Sequence, residues 1–362
     1  MPKIKLILSA IIFLFIIQTG HSQIDTSAVN KLVWEAIELM DSGQIEESIR
    51  LLKDAKKLDP KNYSIDYEIA YANYLRKNYS ESITILENVL KEDKSQDIFY
   101  QLLGNSYSLN QQKDKAISTY EAGLKIFPKS GKLYLERGNV ELMSNNPELA
   151  LTFYEMGIQV EPDFPSNYFR AALIFLNSKN EVWGMIYGEI FMNIERNTKR
   201  TKEMSRKLFE TYQKEIKIVN DTAYTVSFSN ENFIDLNNIE NLKNSKLFFG
   251  TGVYEITLLL SVLGEKKINL NSLNKIRTKF IEIYYDKKYN EKFPNLLFDY
   301  QKKMISINQF EAYNYWLLSM GNEDEFEIWL KENEEKFDNF VDWFNENPLI
   351  VNNSNKFLRK NY

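Results

Sequence analysis

Acid–base, nucleophilic and metal chemistry at neutral pH draws first on histidine and cysteine, and this sequence has almost none of either. Its 362 residues include no Cys and a single His, His21. That His lies in an N-terminal segment that reads as a cleaved leader, so the rest of the chain holds neither residue. Cys–His and Ser–His–Asp nucleophile systems are thereby excluded, as are zinc sites built on imidazole or thiolate. Asp, Glu, Tyr, Lys and Ser remain. Two carboxylates suffice for glycoside hydrolysis, but 50 acidic residues make some pair inevitable, so no pair singles itself out. Gly250 and Gly252 in "FFGTGVYE" resemble a phosphate-binding turn. No strand-like run precedes them and no Lys–Ser/Thr pair follows, so they are read as a helix start. The acid-rich stretch 323–346 lacks the Asp/Asn/Gly order of a calcium loop. No catalytic residue, metal or cofactor is assigned, and the chain is read as a non-enzyme.

The elements that would carry any function begin after residue 22. Lys3 and Lys5 precede an apolar run, Leu6 to Ile17, and Gly20 and Ser22 are the small residues before a cut at Gln23. This is the pattern of a secretory signal peptide, and the run is shorter than the roughly 20 residues that span a bilayer. The expectation is an exported chain, periplasmic or secreted, with no stable membrane insertion after cleavage. Its Lys-, Asn- and Ile-rich composition is similar to that of a low-GC Gram-negative bacterium. With no Cys to form disulfides, stability must come from a packed core. The net charge of −5, more negative once Lys3 and Lys5 are lost, argues against a nucleic-acid partner. Proline is scarce, with 8 in the chain, which suits helices.

A 34-residue period organises the first half. Ala36, Ala70, Gly104, Gly138 and Ala172 stand one period apart, all Ala or Gly. Ser48, Ser82, Ala116, Ala150 and Gly184 form a second small row, and Leu52, Leu86, Tyr120, Tyr154 and Gly188 a third. Pro60, Pro128 and Pro162 close three of the periods. The period and these contents resemble the tetratricopeptide repeat, a helix–turn–helix unit. The best matches are 97–130, with Tyr100, Leu102 to Gly104, Tyr107, Ala116, Tyr120, Gly123 and Pro128, and 131–164, with Tyr134, Gly138, Ala150, Tyr154, Gly157 and Pro162. Unit 29–62 has Ala36, Leu39, Leu52, Ala55 and Pro60, 63–96 is weaker, with Ser82, Leu86 and Val89 but no closing proline, and 165–198 is degenerate, with Gly188 and Phe191 at positions that ask for an aromatic and a small residue. Gly104, inside the helical stretch "YQLLGNSY", is expected to combine with Ala116 to let two backbones approach. Leu103, Tyr107 and Tyr120 would fill the flanks. Stacked units then bury a continuous core.

The resemblance implies an all-α fold, a tetratricopeptide-repeat helical superhelix of five units followed by a helical C-terminal domain, 199–362. It also implies a groove lined by the first helices. The inward positions are Tyr67, Tyr71, Tyr74, Gln101, Asn105, Leu135 and Asn139. They would bind a protein or peptide partner, with Tyr as anchors and amides as hydrogen-bonding groups. The basic residues with which some members clamp a C-terminal carboxylate are missing there. Two other readings stay open: a glycan- or solute-binding protein of the envelope, using aromatics to stack on sugar rings, and a two-carboxylate hydrolase.

In the second half, 199–219 reads as an amphipathic helix. The basic run "RNTKRTKEMSRK", 196–207, suits either a solvated face or an acidic partner. Tyr224, Val226 and Phe228 alternate as a short extended segment, and a polar linker follows to about Asn244. Helices resume from Lys246: a buried one closed by Gly264, another over 271–285, a hairpin over 293–321 resembling a degenerate repeat, and two acidic, aromatic helices over 323–346 that would cap the array.

Overall fold

How each first helix stops sets the early architecture. The computed structural model describes residues 26–92, 96–220, 223–230 and 248–362. The leader and most of the polar linker lie outside them. The helices α1 (Thr26–Asp41) and α2 (Ile45–Leu58), α3 (Tyr63–Leu75) and α4 (Tyr79–Lys91), α5 (Asp97–Leu109) and α6 (Lys113–Ile126), and α7 (Gly131–Met143) and α8 (Pro147–Val160) pack as consecutive pairs. In each intervening turn one residue has left-handed backbone: Gly43, Lys77, Gln111 and Asn145, with φ of 83°, 66°, 60° and 60°. These stand one repeat apart. The next N–H in each case reaches back to the helix, Gln44 to Leu39 O (2.8 Å), Asn78 to Asn73 O (2.9 Å), Gln112 to Tyr107 O (2.9 Å) and Asn146 to Glu141 O (3.0 Å). This stop satisfies otherwise orphaned carbonyls.

The described residues form two compact units that divide between Ser95 and Gln96. The first holds α1–α4, with Val29, Ala36, Leu52, Ala55, Ile65 and Ile69 as its main buried cluster. The second holds everything from α5 onward.

Inside the pairs, the small row is buried throughout. The expected reason for Gly104 needs correction. A Cβ there would stand 2.2 Å from Cε1 of Tyr120, so the glycine makes room for a ring rather than for backbone at Ala116. Gly138 does the same for Tyr154, at 2.5 Å. Where the first helix carries Ala, at Ala36 and Ala70, the residue sixteen positions on is Leu52 or Leu86, a smaller side chain. Both combinations fill similar space at the density of a protein interior.

The fifth pair, α9 (Pro165–Leu176) and α10 (Glu181–Ile194), is different. Thirteen residues of α10, Glu181 to Asn193, are buried, as in a helix covered on all sides. Gly188 lies under α11 (Lys199–Glu215), where a Cβ would come within 2.7 Å of the Met204 sulfur. The degenerate position Gly188 of this repeat is thus repacked against an eleventh helix. α11 ends four residues earlier than expected. Ile216–Asn220 is a strand, β1, paired antiparallel with β2 (Ala223–Val226), Ile216 opposite Val226 and Ile218 opposite Tyr224. Alternating Ile216 and Ile218 suit a strand once a partner is within reach.

A π-helical stretch, Phe249–Glu255, then runs into α12 (Ile256–Val262), and left-handed Gly264 follows. Next come α13 (Leu270–Asp286), the short α14 (Tyr289–Lys292), α15 (Leu296–Ser306), α16 (Phe310–Leu318), α17 (Glu323–Glu332) and α18 (Glu334–Glu346). The α15–α16 turn uses the same left-handed stop, at Asn308, with Gln309 N–H donating to Met304 O (2.8 Å). The acidic helices α17 and α18 are not the last packing element. Tyr362 inserts its ring among Trp183, Phe249, Phe293 and Phe357. Arg359 forms a two-pronged ion pair with Glu155 of α8 (2.9 and 3.0 Å).

A buried polar network ties α10 to this later half. Glu189 accepts from Arg277 (2.6 Å), Gln301 (2.5 Å) and Tyr313 (2.8 Å). Arg277 also donates to Asn314 (2.7 Å) and Tyr212 (2.9 Å). Removing one member of a buried ion pair strands the other charge.

Two stability measurements follow from this packing. Gly104→Ala should lower unfolding free energy by about 1–3 kcal/mol. Adding Tyr120→Leu should recover part of that loss, reproducing the Ala/Leu combination; urea denaturation of the four-member cycle reads the coupling. Arg277→Met should cost about 3–5 kcal/mol in the same assay. A cost within 1 kcal/mol would mean that Glu189 needs no counter-charge.

Candidate interaction surface

Tyr67, Tyr71 and Tyr74 follow one another at i, i+4 and i+7 on α3, and so share a face. Their rings stack in a row: Tyr67 and Tyr71 have centroids 6.2 Å apart at 4°, Tyr71 and Tyr74 6.4 Å apart at 15°. Tyr74 is braced edge-on by Tyr79 of α4 (5.7 Å). Tyr71 is the most open of the three at 36% exposure, and Trp34 on α1 is 50% exposed. Large aromatics left this open on a helical face are suited to bury area against another chain.

The other four expected groove residues lie in the second unit, and their side chains have internal duties. Leu135 belongs to the core, only 9% exposed, and is not a contact surface. Asn105 accepts the phenol proton of Tyr120 (2.5 Å), and Asn139 that of Tyr154 (2.9 Å). Gln101 and Asn139 both donate to Glu136 (2.8 and 2.9 Å). Asn105 and Asn139 thus serve the hairpin interior, because a phenol in a hairpin core needs a hydrogen-bond acceptor. The basic run is similarly occupied. Arg196 lies 3.4 Å from the Phe344 ring centroid and donates to the Phe344 carbonyl (2.7 Å). Arg200 pairs with Glu195, and Arg206 faces Glu323 (3.6 Å). Lys199 and Lys202 are exposed.

Sequence reasoning passed over Trp34 and Glu68. They occupy the same repeat position, 34 residues apart, with Glu68 next to the expected inward Tyr67, and that register is the signal that would have found them. Glu68 has no hydrogen-bond or ion-pair partner among the described residues, and burial pushes its carboxyl up to about 7. Burial, then the negative charges of Glu68 and Asp41, also push the Tyr71 phenol up.

A separate cleft of about 690 Å³ in the second unit is bordered by Leu142, Leu151, Arg170, Leu173, Phe175 and Arg359. Among the described residues no group of three or more acidic, His or Cys side chains is placed to hold a metal. No helix among them is long and apolar enough to cross a membrane.

These features define an all-α protein of paired helices with a stacked aromatic row, exposed at Tyr71. Models of the tetratricopeptide repeat match residues 35–98 and 99–130, so this stretch carries tetratricopeptide repeats. Repeats of this kind are protein–protein interaction scaffolds and generally non-catalytic. No curated protein matches the chain in sequence. Among solved structures it is similar to a thermophilic tetratricopeptide-repeat protein of Thermus thermophilus (14% identity, TM-score 0.44, covering 50% of this chain and 99% of that one). It is also similar to a tetratricopeptide repeat protein from Parabacteroides merdae (13%, TM-score 0.39, 82% and 99%). A third is the C-terminal part of a repeat-containing protein from Cytophaga hutchinsonii (12%, TM-score 0.40, 84% and 98%).

The raised carboxyl of Glu68 has a consequence for stability. Its ordinary value is 4.5 and its folded value about 7, so the folded chain holds the proton more tightly than the unfolded one. Stability is then full below about pH 4.5 and is lost as pH rises through about 7. Glu68→Gln should match the parent at pH 4 and exceed it at pH 8 by about 1 kcal/mol or more. Thermal melts at the two pH values check this, and equal melting at pH 8 would contradict it.

Proposed function

We propose that this chain is an exported, non-catalytic scaffold that binds a protein or peptide on the first-helix face carrying Tyr67, Tyr71 and Tyr74. The stacked tyrosine row, open to solvent at Tyr71, carries the reading. Tyr pairs a large apolar body with a polar tip and loses little conformational freedom on docking. The tetratricopeptide repeats support an interaction role, and the leader pattern supports export to the periplasm or beyond. A glycan- or solute-binding role is the second reading. The same tyrosine faces suit sugar rings, and the cleft beside Arg170 and Phe175 is of ligand size.

Site-specific photocrosslinking in the native cells separates these. A crosslinker at Tyr71 should capture a protein, one at Lys202 should not, and Tyr67→Ala should abolish the Tyr71 adduct. A glycan array bound by the purified chain, with no protein adduct at Tyr71, would favour the second reading. The purified mature chain should begin at or near Gln23 by intact mass; a chain retaining Met1 to Ser22 would refute export by this leader.

A further inference from the structure

The tyrosine row does not stand on a neutral surface. The helices α1 and α3 carry Glu35, Glu38, Asp41, Asp66 and Glu68 against Lys31 alone. Asp66 is the one of these acids with a basic partner among the described residues, Lys56 at 2.6 Å. Glu68 stands three residues before Tyr71, on the flank of the ring row. Asp41 is near enough to act on the same phenol from the other helix. The most exposed ring of the row thus feels two carboxylates, one from each first helix.

We propose that the docked partner segment is cationic and seats a Lys or Arg side chain against Glu68 and the face of Tyr71, with Asp41 as the outer counter-charge. The inference rests on reading this face as the docking surface and names the chemistry of its occupant. Three physical arguments carry it. A desolvated carboxylate without a counter-ion costs free energy in the unbound chain, and an arriving cation recovers it as a charge-assisted hydrogen bond. A cation over an aromatic face gains further attraction from the ring quadrupole. A neutral segment covering Glu68 would deepen its desolvation, and an acidic one would add repulsion. The chain already contains the same arrangement internally: Lys56 pairs with Asp66 while lying 5.5 Å from the centroid of the Tyr63 ring, in the same unit.

The test is selection of a phage-displayed random dodecapeptide library on the full chain, followed by fluorescence anisotropy with the strongest selected peptide. The selected sequences should be enriched in Lys and Arg and depleted in Asp and Glu. Affinity for the chosen peptide should fall at least tenfold on Glu68→Gln or on replacing the peptide's basic residue by norleucine. The remote Glu282→Gln should leave it unchanged. Circular dichroism confirms that each variant is folded. Peptides without basic enrichment, whose binding is lost on Tyr71→Ala but not on Glu68→Gln, would overturn the cationic occupant and leave the docking face standing. Binders indifferent to Tyr71→Ala, or no binder at all, would overturn both.

Discussion

The space between the two helices of a repeat has to be filled once, and much else follows from how each repeat fills it. In the first two units the pair is Ala with Leu: Ala36 and Leu52, Ala70 and Leu86. In the third and fourth it is Gly with Tyr: Gly104 and Tyr120, Gly138 and Tyr154. Trading a methyl on one helix for a ring on the other keeps the interior close-packed. The trade brings a phenol hydroxyl into the hairpin, and a hydroxyl taken out of water needs a partner. The residue after each glycine, Asn105 or Asn139, supplies it. Glycine, asparagine and tyrosine therefore act as one set, and "YQLLGNSY" is two-thirds of it.

That set explains which faces remain open. Ile37 and Tyr71 occupy the repeat position that Asn105 and Asn139 occupy later. The Ala/Leu repeats bring in no phenol to claim that position: Ile37 packs against Met40, Ile49 and Ala72, and Tyr71 is left to solvent. The candidate surface thus lies in the second repeat because of a core choice made there. In the third and fourth repeats the same position serves the interior.

In the later half the chain departs from the repeat without losing its packing rules. Gly188 makes room for Met204 and Leu208 of α11, as Gly104 does for Tyr120. Glu189, on a helix with no wet side, is tolerable only because Arg277, Gln301 and Tyr313 converge on it. These partners lie 88 to 124 residues away along the chain, and the network joins the last repeat to the following helices.

The sequence by itself determined the period, the helical class, the burial of the small row and the tyrosine face of α3. All of these depend on spacing along one or two helices, which backbone geometry imposes locally. Other features were decided only in three dimensions. The ring over Gly104, the internal use of Asn105, Asn139 and Leu135, and the left-handed turns at Lys77 and Gln111 depend on neighbours that the spacing does not name. The strand at Ile216 needed β2 beside it, and Arg196 and Arg206 of the basic run found Phe344 and Glu323 only in the folded chain. Glu68 shows the reason most directly. Its residue type and position are plain in the sequence, but whether a carboxylate is hydrated, paired or stranded depends on what packs around it, and desolvation is a property of the folded surface.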